Sequence, residues 1–163
     1  MSEILEVKVK GLTLDPLTNM PIIILKDLEG KRALPIWIGI FEANAIALRM
    51  EKIEPPRPMT HDLMMNMLRL LGASVTRVVV HDLQANTFFA TIVLDAGGRE
   101  LSVDSRPSDA IALAVRCGAP IFVTREVMEK SQSVEVDDEL YNEEKLKKWL
   151  ENLKPDDFGN YPM

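Results

Sequence analysis

VTRVVVHDLQANTFFATIVLDAGGRELSVDSRPSDAIALAVRCG, residues 75–118, changes its periodicity once, and that change decides the fold. VTRVVVHDL, TFFATIVLD and RELSVD are short runs rich in β-branched and aromatic residues, which read as strands. Asn86 marks the turn between the first two, and Gly97-Gly98 the turn between the next. Then DSRPSDAIALAVR turns to small apolar residues at helical spacing, with Pro107 suited to a first turn and Gly118 to a stop. Strands that pair locally and then yield to a helix indicate an α+β chain rather than a doubly wound parallel sheet.

The flanking sequence repeats this pattern. ILEVKVKGL alternates apolar and polar residues, as a half-buried strand does. MPIIIL and ALPIWIG follow as apolar runs, separated by the loop DLEGK. These three runs read as antiparallel strands. Residues 39–51, GIFEANAIALRME, place Ala43, Ile46, Ala47 and Met50 at helical spacing. EPPRPM breaks the chain. THDLMMNMLRLLG is a second helix, with Thr60 as N-cap, Asp62 at the positive end of the dipole and Gly72 as the stop. Leu63, Met67, Leu70 and Leu71 are expected to face a core, widened by Met64 and Leu68. PIFV reads as a short buried strand, and TREVMEK as a short helix capped by Thr124. The expected architecture is one compact α+β domain of mostly antiparallel strands with three main helices, over residues 1–131.

Residues 132–163 form an acidic tail. Residues 133–163 carry nine acids against four lysines, most of the net charge of −6, so the body is nearly neutral. Within the tail, NEEKLKKWLENL reads as an amphipathic helix capped by Asn142. Its stripe of Leu146, Trp149, Leu150 and Leu153 needs a surface on this body or on another subunit. No Lys/Arg block advertises a nucleic-acid groove. No apolar run approaches the ~18 residues of a membrane span. The N-terminus lacks the apolar region of a signal peptide. The single Cys117 excludes an internal disulfide. A soluble, cytoplasmic protein with no membrane partner is expected.

Chemistry-bearing residues gather at helix starts. Glu42 lies just inside the first helix. Arg57-Pro58-Met59-Thr60-His61-Asp62 opens the second, and Asp104-Ser105-Arg106-Pro107-Ser108-Asp109 the third. The last two share a layout: Arg-Pro, a hydroxyl residue, an aspartate, then an apolar helix. Capping accounts for the proline, the hydroxyl and the aspartate. It does not account for the arginines, because a cation at a helix N-terminus opposes the dipole. Arg57 and Arg106 therefore need either carboxylate partners or a phosphate.

If these segments converge, a phosphodiester-cleaving site follows. His61, Asp62, Asp104 and Asp109 are the candidate catalytic groups. Arg57, Thr60, Ser105, Arg106 and Ser108 are the candidate substrate-binding groups. Glu42, Asp62 and Asp109 are candidate oxygen ligands for Mg²⁺ or Mn²⁺. Without a metal the same groups would form an internal salt-bridge network. His81 reads as a surface residue beside a turn. Phe88 and Phe89 read as core, as do the methionines, and Cys117 as a packed small hydrophobe.

LPIWIGIFEANAIALRMEK, RPMTHDLMMNML, FFATIVL and DSRPSDAIALAVRCGAPIFV occur in one order over roughly residues 5–130. In this the chain resembles the bifunctional nuclease domain family. The resemblance implies a compact α+β domain, self-association into a homo-oligomer such as a dimer, and nuclease activity on DNA and RNA. A non-catalytic dimeric binding module and a binder of a small anionic metabolite fit the same residues.

Overall fold

The computed structural model describes residues 3–29, 32–131 and 134–135. The chain opens with β1 (Ile4–Leu14), β2 (Pro21–Asp27) and β3 (Arg32–Trp37), then α1 (Ile40–Met50) and α2 (Thr60–Leu70). A second run follows: β4 (Ala73–Gln84), β5 (Thr87–Ala96), β6 (Arg99–Ser105), α3 (Pro107–Cys117), β7 (Ile121–Thr124), α4 (Arg125–Lys130) and β8 (Val134–Glu135). The expected α+β class holds.

Each run of three strands is an antiparallel meander. The β4–β5 and β5–β6 turns use two residues with positive φ, Ala85-Asn86 and Gly97-Gly98. Such turns match the right-handed twist of a hairpin. β7 joins the meanders, parallel to β4 and antiparallel to β1, giving one sheet in the order β6-β5-β4-β7-β1-β2-β3-β8. The β8–β3 pairing carries the sheet a few residues past position 131.

α3 makes the crossover from β6 to β7 and is buried along most of its length. Ala110, Ile111, Ala112, Leu113 and Ala114 are all at most 1% exposed. It packs on α1, α2, β4 and β5. Alanines on its flank and on α1 (Ala43, Ala45, Ala47) take up little room, so the two helices approach closely. The core lies between these helices and the sheet, filled by Val7, Ile23, Leu25, Leu34, Val78, Val80 and Val123 among others. Gly118 ends α3 in the left-handed region, φ 72°. Thr124 caps α4 by accepting the Val127 N–H at 3.2 Å.

Several expectations need correcting. The N-cap of α2 is Met59, not Thr60, and Asp62 Oδ2 accepts the Met59 N–H at 3.0 Å. Asp62 supplies the bond to the N-cap because it sits three residues into the helix, where a carboxylate reaches back. Neither Ser105 nor Ser108 caps α3, whose N-cap is Arg106. Leu63, Met67, Leu70 and Leu71 do not face a core; they are 52%, 54%, 87% and 80% exposed. α2 rests instead on His61, Met65 and Leu68. Cys117 ends α3 exposed, and of the methionines Met128 is buried while Met64 and Met67 stand out. His81 is exposed, as expected, but within β4 beside a register shift. Phe88 packs against the core. The helix read over 142–153 lies outside the described residues.

Candidate active site and the cleft beside it

The starts of α1, α2 and α3 meet, and a chain of hydrogen-bonded charges joins them. Arg106, at the N-cap of α3, turns Nη2 to Glu42 Oε1 of α1 at 2.7 Å and Nε to Asp109 Oδ2 at 2.8 Å. The other Asp109 oxygen meets His61 Nε2 of α2 at 2.9 Å. One residue on, Asp62 Oδ1 accepts from Arg116 Nε of α3 at 2.7 Å, and Arg116 Nη1 donates to the Ala112 carbonyl at 2.9 Å. The sequence produces this locally. Asp109 stands three residues after the N-cap of α3, where the dipole favours a carboxylate. Arg116 follows seven residues later on the same helix face. α2 crosses between the two.

Electrostatics agree with the geometry. Burial acts to raise the Asp109 carboxyl, but hydrogen bonds from Arg106 and His61 outweigh it and hold its pKa below the usual value. Asp62 is likewise lowered: burial opposes, while the Met59 N–H and Arg116 prevail. Hydrogen bonds donated to Asp109 and Glu42 push the Arg106 pKa up. Gly39 leaves room for this network: a Cβ there would collide with Glu42 Oε2.

These bonds decide which sequence candidates come together. Glu42, His61, Arg106 and Asp109 form one connected set, and Asp62 joins through His61 along the chain. His61 is 6% exposed, which suits a strut between α2 and α3 better than a proton carrier open to solvent. Asp104 stays outside, exposed on the edge strand β6 opposite Thr91. The Ser105 hydroxyl donates to the Arg106 carbonyl at 2.8 Å, Ser108 is buried, and Thr60 is exposed on the first turn of α2. Among the described residues no three His, Cys, Asp or Glu side chains group to hold a metal ion. Glu42 and Asp109 both face Arg106, and Asp62 faces Arg116, so guanidinium groups stand where a shared cation would need to be. The trio does not fit a resident Mg²⁺ or Mn²⁺ centre in this arrangement.

Arg57 has a different setting. It lines a cleft of about 410 Å³ with Leu48, Arg49, Ile53, Asp62, Asn66 and Arg116, and the Pro55, Pro56 and Pro58 segment borders it too. Glu54 also borders it, so three arginines face two carboxylates. Arg49 Nη2 donates to the Arg116 carbonyl at 3.4 Å. Among the described residues Arg57 has no hydrogen bond or ion pair. Arg49, Asn66 and Arg116 were missed by sequence reasoning. A basic residue in the last turn of a helix is ordinary dipole chemistry, so Arg49 and Arg116 carried no signal apart from the folded geometry.

Residues 23–136 match the family model of the bifunctional nuclease domain. The chain is 40% identical over 165 residues to an uncharacterized protein of Mycobacterium tuberculosis (strain ATCC 25618 / H37Rv), covering 94% of this chain and 97% of that one. It is 31% identical over 110 residues to Bifunctional nuclease 1 of Oryza sativa subsp. japonica, and 32% over 109 residues to Bifunctional nuclease 1 of Arabidopsis thaliana. Each of these two matches takes in 64% of this chain, and 33% and 34% of the respective plant proteins. With its family model and its relatives in accord, the chain belongs to the bifunctional nuclease domain family.

Proposed function

We propose that the protein is a nuclease that hydrolyses phosphodiester bonds of DNA or RNA, and that the cleft beside Arg57 receives the phosphate. The observation that carries this reading is the unpaired Arg57 guanidinium lining a cleft of about 410 Å³, together with Arg49 and the Asp62 carboxylate. A guanidinium without a protein partner offers two donors to a phosphate and stabilises charge growing on its oxygens. Asp62 stays ionised at neutral pH because its pKa is lowered. It is the cleft carboxylate held in a fixed orientation, and it can orient a water for attack by accepting its hydrogen bond. The Glu42–Arg106–Asp109–His61 chain holds α2, and with it Asp62, against α3. Names of the plant relatives support the activity class.

A second reading, a module that binds an anionic ligand without cleaving it, draws on the buried His61 and on carboxylates already neutralised by arginines. Incubating the purified full chain with labelled single-stranded RNA and DNA, with Mg²⁺, Mn²⁺ or chelator, separates the two. Cleavage that falls about thirtyfold in Arg57→Ala and recovers in part in Arg57→Lys is expected. Tight binding with no cleavage under any condition would establish the second reading instead.

A further inference from the structure

The cleft beside Arg57 offers more than a phosphate uses. Its volume of about 410 Å³ lies in the range of small-molecule sites, ~300 to 1,000 Å³. A phosphate displaces only a few waters, at ~30 Å³ each. Two further polar groups there are unspent. Asn66, half-buried in the middle of α2, and Glu54, in the loop before Arg57, make no hydrogen bond or ion pair among the described residues. Asn66 stands one turn beyond Asp62, about 6 Å along the same face of the helix. Asparagine is a poor helix former, favoured at caps and turns where its amide bonds to backbone. At position 66 it does neither, so the fold gives this carboxamide no task. Apolar surface completes the cleft: Leu48 is buried, and Ile53 is 53% exposed with nothing over it.

We infer that the cleft takes a whole nucleotide and that Asn66 reads its base as adenine. This rests on the reading of the cleft as a phosphate site. A carboxamide presents a donor and an acceptor side by side. Adenine offers the matching pair, the N7 acceptor and the N6 amine. Guanine shows two acceptors on that edge, and uracil or thymine carries a carbonyl in place of the amine. Glu54 supplies only acceptors, which favours the amine again. The cations are engaged elsewhere: Arg116 holds Asp62 at 2.7 Å, and Arg57 with Arg49 is left for the phosphate. Ile53 gives the face of the base an apolar wall, as pockets for a single extruded base do. The prolines at 55, 56 and 58 restrict the loop, so that wall is formed before the ligand arrives. Cleavage by this chain then falls preferentially beside adenosine.

Calorimetric titration of the full chain with adenosine monophosphate (5′ and 3′ isomers), inosine monophosphate and inorganic phosphate tests this. Inosine carries oxygen where adenosine carries the N6 amine. At least one adenosine isomer is expected to bind about tenfold more tightly than its inosine counterpart. Asn66→Ala is expected to erase that ratio without lowering the melting temperature, because alanine is the better helix former. Arg57→Ala is expected to weaken every one of these ligands. Adenosine and inosine monophosphates that bind alike, with phosphate still held through Arg57, would overturn the base reading and leave the phosphate cleft standing. So would a preference for adenosine that Asn66→Ala retains. Failure of phosphate and nucleotides alike to bind would overturn both.

Discussion

Two helices in this protein begin with the same words, Arg57-Pro58 before α2 and Arg106-Pro107 before α3, and the two arginines have opposite fates. Arg106 is spent on the protein itself, held by Glu42 and Asp109 at hydrogen-bond distance. Arg57 is held by nothing among the described residues and borders the cleft. The difference comes from the neighbours. α3 starts where α1 and α2 also start, so carboxylates converge on Arg106. The Arg57 loop shares the cleft with Arg116 near the far end of α3, where one of the two bordering carboxylates, Asp62, is already taken by Arg116. A shared motif thus supplied structure in one place and an open cation in the other.

This contrast can be broken by substitution. The largest effect is expected at Asp109→Ala, which strands both His61 and Arg106. Arg106 is two-thirds exposed and adds little, but removing the carboxylate from the largely buried His61–Asp109 pair costs about 3 kcal/mol, and at roughly 3 °C per kcal/mol the melting temperature should fall by about 10 °C. A scan that moves by only a degree or two would show that the network does not hold the helices together. Arg57→Ala should behave in the reverse way. Loss of one charge-assisted contact to phosphate is worth about 2 kcal/mol, roughly thirtyfold in kcat/KM, with melting unchanged because Arg57 has no partner to lose. A large drop in melting temperature for this variant would place Arg57 among the structural residues.

The smallest effect is in the pH profile of stability. Asp62 and Asp109 have lowered pKa values in the folded chain. Their contribution is therefore complete above the unfolded carboxylate pKa and is lost as pH falls through the folded values, below 3.8. Urea unfolding at stepped pH should show this acid limb, and Asp109→Asn should flatten it. An unaltered limb in that variant would assign acid sensitivity to other carboxylates.

Much of the fold was legible because local signals agreed with the global result. Gly97-Gly98 and Asn86 mark hairpins that exist, and Gly118 and Thr124 punctuate α3 and α4 as their chemistry suggests. The errors lie where local pattern is silent about partners. An apolar stripe on α2 says that those residues avoid water, but not whether their own core or another molecule covers them. Thr60 looked like a cap because hydroxyls usually are, yet Asp62 reached back first. At the site, the sequence offered Glu42, His61, Arg106 and Asp109 among its candidates, which the fold joins by hydrogen bonds. It could not show that they satisfy one another, nor that Arg116, seven residues beyond Asp109, takes Asp62. Such pairings depend on how α2 crosses α3, which no spacing encodes.

The salt dependence of oligonucleotide binding tests the division between the two arginines most directly. Fluorescence anisotropy of a labelled single-stranded oligonucleotide, titrated at several salt concentrations under non-cleaving conditions, counts the phosphates neutralised, with a slope of about 0.7 per contact on a log–log plot. Arg57→Ala is expected to reduce the slope by about one contact, and Arg106→Ala to leave it unchanged. A reduced slope for Arg106→Ala with none for Arg57→Ala would contradict the assignment of the phosphate to the cleft.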